Sequence, residues 1–310
     1  MHKIVFFGTP EFSLPALEAL RADKRFAIEL VVTQPAKPVG REKEVTDSPV
    51  ATFAKAHNLE LATPESVRRD ADFIARIVAM KPDFIVVVAY GKIIPNELLA
   101  AAKFGAINIH PSALPKYRGA SPLQSSIASG NPETAVTIML MDADVDHGPI
   151  LVQIPDVIST TDTSETLGTR LFEKAARVLP ETMTQLAEGK LTPKTQNDAD
   201  ATFTKLIDRV DGKINFEKSA RLIDAKRRAF TPWPGIYMEL GDGMVIKLHA
   251  TTPVAPCKGF VPGALHAHGK ELHAATADGC LRLDSVQPSG KTAMDATAFL
   301  NGYQRYLSTK

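Results

Sequence analysis

Polar side chains suited to joint catalysis gather in two stretches of the sequence. Residues 105–112 read Gly-Ala-Ile-Asn-Ile-His-Pro-Ser, and side chains alternate along an extended segment, so Asn108, His110 and Ser112 fall on one side of it. Residues 141–149 read Met-Asp-Ala-Asp-Val-Asp-His-Gly-Pro, with acids at alternate positions. An amide, an imidazole and a carboxylate suit acyl transfer to an amine. Asn108 and His110 donate to an oxygen gaining negative charge, while Asp146 orients the imidazole or helps take up the proton. Spacing alone leaves the acyl group open.

Other chemistries lack their patterns. A calcium loop beginning at Asp142 needs Gly at its sixth position and Glu at its twelfth, where the sequence has His147 and Gln153. His110, Asp146 and His147 have no zinc-protease spacing, so no metal is expected there. Neither a Gly-x-Ser-x-Gly elbow nor a Walker lysine motif occurs. After the first apolar run only Gly8 remains of a dinucleotide fingerprint, so Gly8-Thr9-Pro10 reads as a tight turn. Cys257 and Cys280 are distant and form no Cys-x-x-Cys pair, which suggests neither a disulfide framework nor a cysteine zinc site and fits a reducing cytoplasm.

The elements that must carry these residues follow from hydrophobic pattern. The chain has 310 residues, 44% hydrophobic and 23% charged, with 36 basic and 35 acidic side chains, a composition of ordinary globular type without a uniform basic coat. Its first apolar run, Ile4 to Phe7, is too short for a signal peptide or membrane span. Strands are expected at Ile4–Phe7, Ile28–Thr33, Leu59–Ala62, Phe84–Ala89 and Ala106–Ile109. Helices are expected near Glu11–Arg21, Pro49–His57, Ser66–Met80 and Pro95–Lys103. Alternation of this kind predicts a doubly wound α/β sheet rich in parallel strands. Ala135–Met141 and Ile150–Val157 fit an edge hairpin, and Thr163–Glu188 a long amphipathic helix. A polar stretch follows, then a helix at Ser219–Ala229 and short Gly- and Pro-punctuated strands that suggest a small β-barrel. The expected division is a domain at 1–189, a linker at 190–204 and a second domain at 205–310. The first 189 residues are net acidic and the remainder net basic, so the second domain, with Lys226-Arg227-Arg228, is the side on which a polyanion would be met.

The run from His110 to Pro122, His-Pro-Ser-Ala-Leu-Pro-Lys-Tyr-Arg-Gly-Ala-Ser-Pro, resembles the signature of folate-dependent formyltransferases. Asn108 before it and Asp146-His147-Gly148-Pro149 after it match the family's Asn, His and Asp trio. Phe7-Gly8-Thr9-Pro10, Thr33-Gln34-Pro35, Ala89-Tyr90-Gly91-Lys92 and Phe230-Thr231-Pro232-Trp233-Pro234-Gly235 are similar to the tRNA-acting branch, and the resemblance spans nearly the whole chain.

It implies a Rossmann-like formyltransferase domain followed by an OB-like barrel, with Asn108, His110 and Asp146 catalytic. It also implies 10-formyltetrahydrofolate as donor, without a metal, and the α-amino group of methionyl initiator tRNA as acceptor. Folate contacts would come from Tyr90, Gly91, Lys92, Ile94, Ser112, Ala113, Leu114, Pro115 and Asp142. Contacts to tRNA would come from Lys37, Arg41 and Lys43 in a loop at 34–49, and from Lys226, Arg227 and Arg228. A cytoplasmic monomer without a membrane partner is expected. Two departures stand out: Ala113 replaces the usual Leu, and acids in the loop offset its bases. The signature is shared with formyl enzymes that act on sugar amines or hydrolyse the donor, and a non-catalytic RNA-binding protein is the rival from another class.

Overall fold

Apolar runs such as Val5–Phe7 and Phe84–Val88 bury every side chain, which requires a sheet covered on both faces. A computed structural model describes residues 1–39, 44–254 and 259–308. Seven strands make the first sheet: β1 (His2–Gly8), β2 (Phe26–Val32), β3 (Leu61–Ala62), β4 (Phe84–Val88), β5 (Ala106–His110), β6 (Glu133–Leu140) and β7 (Ile150–Val157). Their order is β7-β6-β5-β4-β1-β2-β3. The pairs β1/β2, β2/β3, β1/β4 and β4/β5 are parallel, and β5/β6 is antiparallel. This is the Rossmann-like, mostly parallel sheet expected from the sequence. Strand order reverses beside β1, and in open α/β sheets the carboxyl ends at such a reversal form the ligand crevice.

Helices α1 (Leu14–Ala22), α2 (Pro49–Ala56), α3 (Ala71–Met80) and α4 (Asn96–Leu99) belong to this half. Phe73 and Ile77 of α3 and Leu98 of α4 join Val5, Phe7, Val32, Ile85 and Val87 in one core cluster. The helix expected from Ser66 instead begins at Ala71, because the Asp70 carboxylate caps it by accepting from the Phe73 N–H at 2.9 Å. A short 3-10 turn, Val67–Arg69, precedes it.

The chain divides into two compact units. One comprises Met1–Gly119, Thr134–Asp156 and Gly168–Phe203; the other comprises Ala120–Glu133, Val157–Leu167 and Thr204–Lys310. Of residues 190–204, which composition reads as a linker, 190–203 fall in the first unit: Lys194 bridges Ile150 and Gln196 is 8% exposed. Helix α5 (Pro122–Ala128) lies in the second unit, and the 24-residue α6 (Ser164–Ala187) runs through residues of both.

The second unit also holds α7 (Ala220–Ala229), α8 (Ala296–Gly302) and an antiparallel sheet. Its strands are β8 (Ile236–Glu239), β9 (Val245–Val254), β10 (Leu265–His268), β11 (Glu271–Ala275), β12 (Cys280–Pro288) and β13 (Met294–Asp295), in the order β8-β9-β12-β11-β10 with β13 on β12. Cys280 is disulfide-bonded, a bond that the wide spacing of the cysteines does not suggest. Among the described residues no helix is long and apolar enough to cross a membrane.

Candidate active site

Strand β5 delivers Asn108 and His110 to the carboxyl end of the sheet. The Asn108 amide donates to the Val87 carbonyl of neighbouring β4 at 3.1 Å, which fixes its plane. His110 is 4% exposed. Its Nε2–H donates to the Tyr117 carbonyl at 3.0 Å, and its Nδ1 lies 3.5 Å from Asp146 Oδ1. Burial drives the His110 pKa below the usual histidine value, against the opposing pull of the Asp146 carboxylate and the Tyr117 carbonyl.

Asp146 arrives on the loop between β6 and β7, with its backbone in the left-handed region at φ 51°. Its Oδ2 accepts from the Gly119 N–H at 2.8 Å. At Gly148 a side chain is forbidden, because a Cβ there would lie 2.0 Å from the Leu140 carbonyl oxygen. The loop is tied from outside the signature as well. Gln196 Nε2 donates to the carbonyls of Asp146 at 2.9 Å and Gly148 at 2.8 Å, while Gln196 Oε1 accepts from Arg118 Nε and Nη2. Arg118, 3% exposed, also pairs with Asp198 at 2.8 Å. Gln196 and Arg118, which hold the Asp146 loop in this way, are not singled out by the sequence. A lone Gln in a polar stretch carries no signal, whereas Arg118 sits inside the signature and was legible there only as pattern.

The residues expected to meet folate are placed unevenly. Ser112 to Pro115 form the turn after β5: Ser112 Oγ donates to the Lys116 carbonyl, Thr137 Oγ1 to the Ser112 carbonyl and Gln153 Nε2 to the Leu114 carbonyl. Ala113 is half-buried in this turn. Irregular backbone follows β4 at 89–95, where Gly91 takes φ 77°. The Tyr90 ring points into the core instead, packed edge-on against Phe7, and burial pushes its phenol pKa up to about 12. Only its backbone carbonyl faces polar partners, accepting from Thr9 Oγ1 and Gln34 Nε2. Ile94 is buried, and the Lys92 ammonium donates to the Glu65 carbonyl at 2.5 Å. Asp142 Oδ2 is held by His147 Nδ1 at 2.6 Å, and that hydrogen bond raises the His147 pKa.

Of the residues expected to meet tRNA, Lys37 is exposed and donates to Gln34 Oε1 at 2.6 Å, whereas Arg41 and Lys43 lie outside the described residues. The basic run on α7 is engaged internally. Arg227 Nε bonds Asp224 Oδ1 at 3.0 Å, Arg228 Nε bonds Asp224 Oδ2 at 3.1 Å, and Lys226 Nζ donates to the Lys213 carbonyl at 2.7 Å. Burial lowers the Lys226 pKa.

The formyl transferase family matches residues 2–183, and the formyl transferase C-terminal domain matches residues 206–304. The chain is 41% identical over 304 residues to a methionyl-tRNA formyltransferase of Koribacter versatilis, covering 97% of this chain and 96% of that one. It is 38% identical to the enzyme of the same name from Enterococcus faecalis, covering 100% and 99%. A solved sugar 3N-formyl transferase shares the fold with a TM-score of 0.67 at 18% identity, covering 94% of this chain and 99% of that one. A signature on β5, a matching loop after β6 and relatives aligned along nearly the whole chain leave one assignment: the chain belongs to the formyl transferase family, among the methionyl-tRNA formyltransferases.

Proposed function

We propose that the chain transfers the formyl group of 10-formyltetrahydrofolate to the α-amino group of methionyl initiator tRNA, as a cytoplasmic, monomeric enzyme of translation initiation. The observation that carries the reading is the juxtaposition of Asn108, His110 and Asp146 at the carboxyl end of β5, with His110 Nδ1 3.5 Å from Asp146. The backbone at 89–95, the turn at Ser112–Pro115 and the Asp142 loop lie at strand ends where an open sheet takes a ligand, which fits a pterin read by backbone groups. Bound there, the donor would supply the formyl carbon, whose bond to N10 breaks as the bond to the amine forms, so that tetrahydrofolate leaves.

Asn108 and His110 donate hydrogen bonds to the formyl oxygen as it gains charge. Nε2–H of His110 is committed to Tyr117, so donation to substrate comes from Nδ1, which carries a proton only in the imidazolium. Asp146 favours that form, against the burial that keeps the ring neutral in the free chain, and accepts the proton the amine releases. In the same reading residues 1–189 and 205–310 act as catalytic and tRNA-binding domains, joined through 190–204. Lys37, Arg41 and Lys43 meet the acceptor arm. Lys226, Arg227 and Arg228, held by internal partners, contribute positive potential on an OB-like surface more than extended side chains.

A formyl-transfer assay comparing methionyl initiator tRNA, methionyl elongator tRNA and an amino sugar tests the proposal, with His110→Ala as control. Transfer confined to initiator tRNA and lost in the variant is expected. Transfer to the sugar alone, or to no acceptor, overturns it.

A further inference from the structure

The formyl-transfer reading leaves a cluster in the second unit unused. Strands β10 and β11 pair with His266 opposite His273, and β11 and β12 pair with Ala275 opposite Cys280. Side chains alternate along strands, so His266, His273 and Cys280 project from the same face of three adjacent strands. One ligand atom from each lies within 4.8 Å of the other two, and all three residues are buried. His266 Nε2 is 3.8 Å from Cys280 Sγ, and Phe260 stacks on the His266 ring with centroids 3.9 Å apart. His273 Nε2 donates to Glu271 Oε2 at 2.9 Å, and Glu271 is 3.4 Å from Arg282 Nη1.

We propose that His266, His273 and Cys280 form a metal site of zinc class, open when Cys280 is reduced to the thiolate. Two imidazoles and a thiolate are donors that zinc accepts and that calcium and magnesium do not. With Nε2 held by Glu271, His273 coordinates through Nδ1, the carboxylate orienting the ring as an outer-shell partner. Zinc bonds of about 2.0 Å to nitrogen and 2.3 Å to sulfur set ligand atoms about 3.5 Å apart, close to the 3.8 Å between His266 Nε2 and Cys280 Sγ.

Because Cys280 is disulfide-bonded, the site is closed while that bond stands. A dithiol reductant opens it by attack on the disulfide: two electrons and two protons leave both cysteine sulfurs as thiols, and the reductant becomes its own disulfide. Cys280 then gives up its proton as the metal binds. An ion held there cross-links β10, β11 and β12, so metal content and thiol state together set the rigidity of this sheet.

The test is a cobalt titration of the full chain, either oxidised or reduced with a water-soluble phosphine that does not chelate metal. The reduced chain is expected to bind one equivalent with a thiolate-to-cobalt charge-transfer band that zinc displaces, and the oxidised chain to bind none. His266→Ala, His273→Ala and Cys280→Ser should each weaken binding, and Glu271→Gln should weaken it about tenfold. Absence of the band in the reduced chain, equal binding by the oxidised chain, or binding unchanged by these variants overturns the proposal. Where a variant fails to fold, the comparison of reduced and oxidised wild-type chain decides.

Discussion

Asp146 Oδ1 lies 3.5 Å from Nδ1 of His110, the ring nitrogen not committed to the Tyr117 carbonyl. A carbonyl can only accept, so Nε2 carries the proton and the neutral ring turns a bare Nδ1 toward a carboxylate. Histidine-labelled NMR at neutral pH should therefore show His110 as the neutral Nε2–H tautomer in the unliganded enzyme. A proton found on Nδ1 of the neutral ring would sink the donor assignment.

The same burial sets a pH dependence of stability. The His110 pKa is depressed in the folded chain, so below the ordinary value of about 6.5 the unfolded chain binds the extra proton and is favoured. The resulting destabilisation is absent above that value, grows as pH falls from it toward the folded pKa, and is constant below. Denaturant unfolding of wild type against His110→Asn should show the difference between them changing across this window; parallel curves would contradict it.

Replacing Asn108 with Ala removes one proposed donor to the developing charge and should lower kcat on the order of 100-fold. Loss of its bond to the Val87 carbonyl costs about 1 kcal/mol, too little to unfold the sheet. Steady-state kinetics beside a melting curve separate the two effects. Unchanged kcat would remove Asn108 from the mechanism.

Gln196→Leu should loosen the loop that carries Asp146 without touching Asn108, His110 or Asp146 itself. It deprives two buried carbonyls of their donor and Arg118 of an acceptor, a loss of about 2 kcal/mol that appears as a lower Tm. The kcat should fall with it, and Gln196→Glu, which keeps the acceptor for Arg118 but not the amide donor, should recover stability better than turnover. Equal recovery of both would show that the amide does not position Asp146.

Asp224, 8% exposed, holds Arg227, Arg228 and Thr251 together. Asp224→Asn should cost about 3 kcal/mol, because it strips the charge partner from two largely buried guanidiniums. Its main effect should be on melting temperature, with KM for tRNA little changed at a temperature where the variant is folded. A KM effect without a melting shift would make the basic run a direct tRNA contact.

The strands of the parallel sheet were legible because period and length speak plainly for fully buried β-branched runs, as at Phe84–Val88. Asn108 and His110 were legible for a related reason: strand alternation is local, so two residues apart means one side. Tyr90 was not, since a tyrosine after a strand reads equally well as a ligand contact or a core ring. The sequence shows three bases at Lys226–Arg228 but not that Asp224, three and four residues before the two arginines, lies on the same helix face. Gln196 and the His266, His273 and Cys280 group depend on pairings between distant segments, which no local pattern encodes.

The tether from Gln196 to the loop of Asp146 also bears on how this chain can be cut or recombined. A fragment ending at Gly189 keeps Asn108, His110, Asp146 and every strand of the parallel sheet, yet lacks the amide that holds the loop. Exchange of C-terminal halves between homologues should therefore place the crossover after Phe203, so that the Asp146 loop and its tether are inherited together.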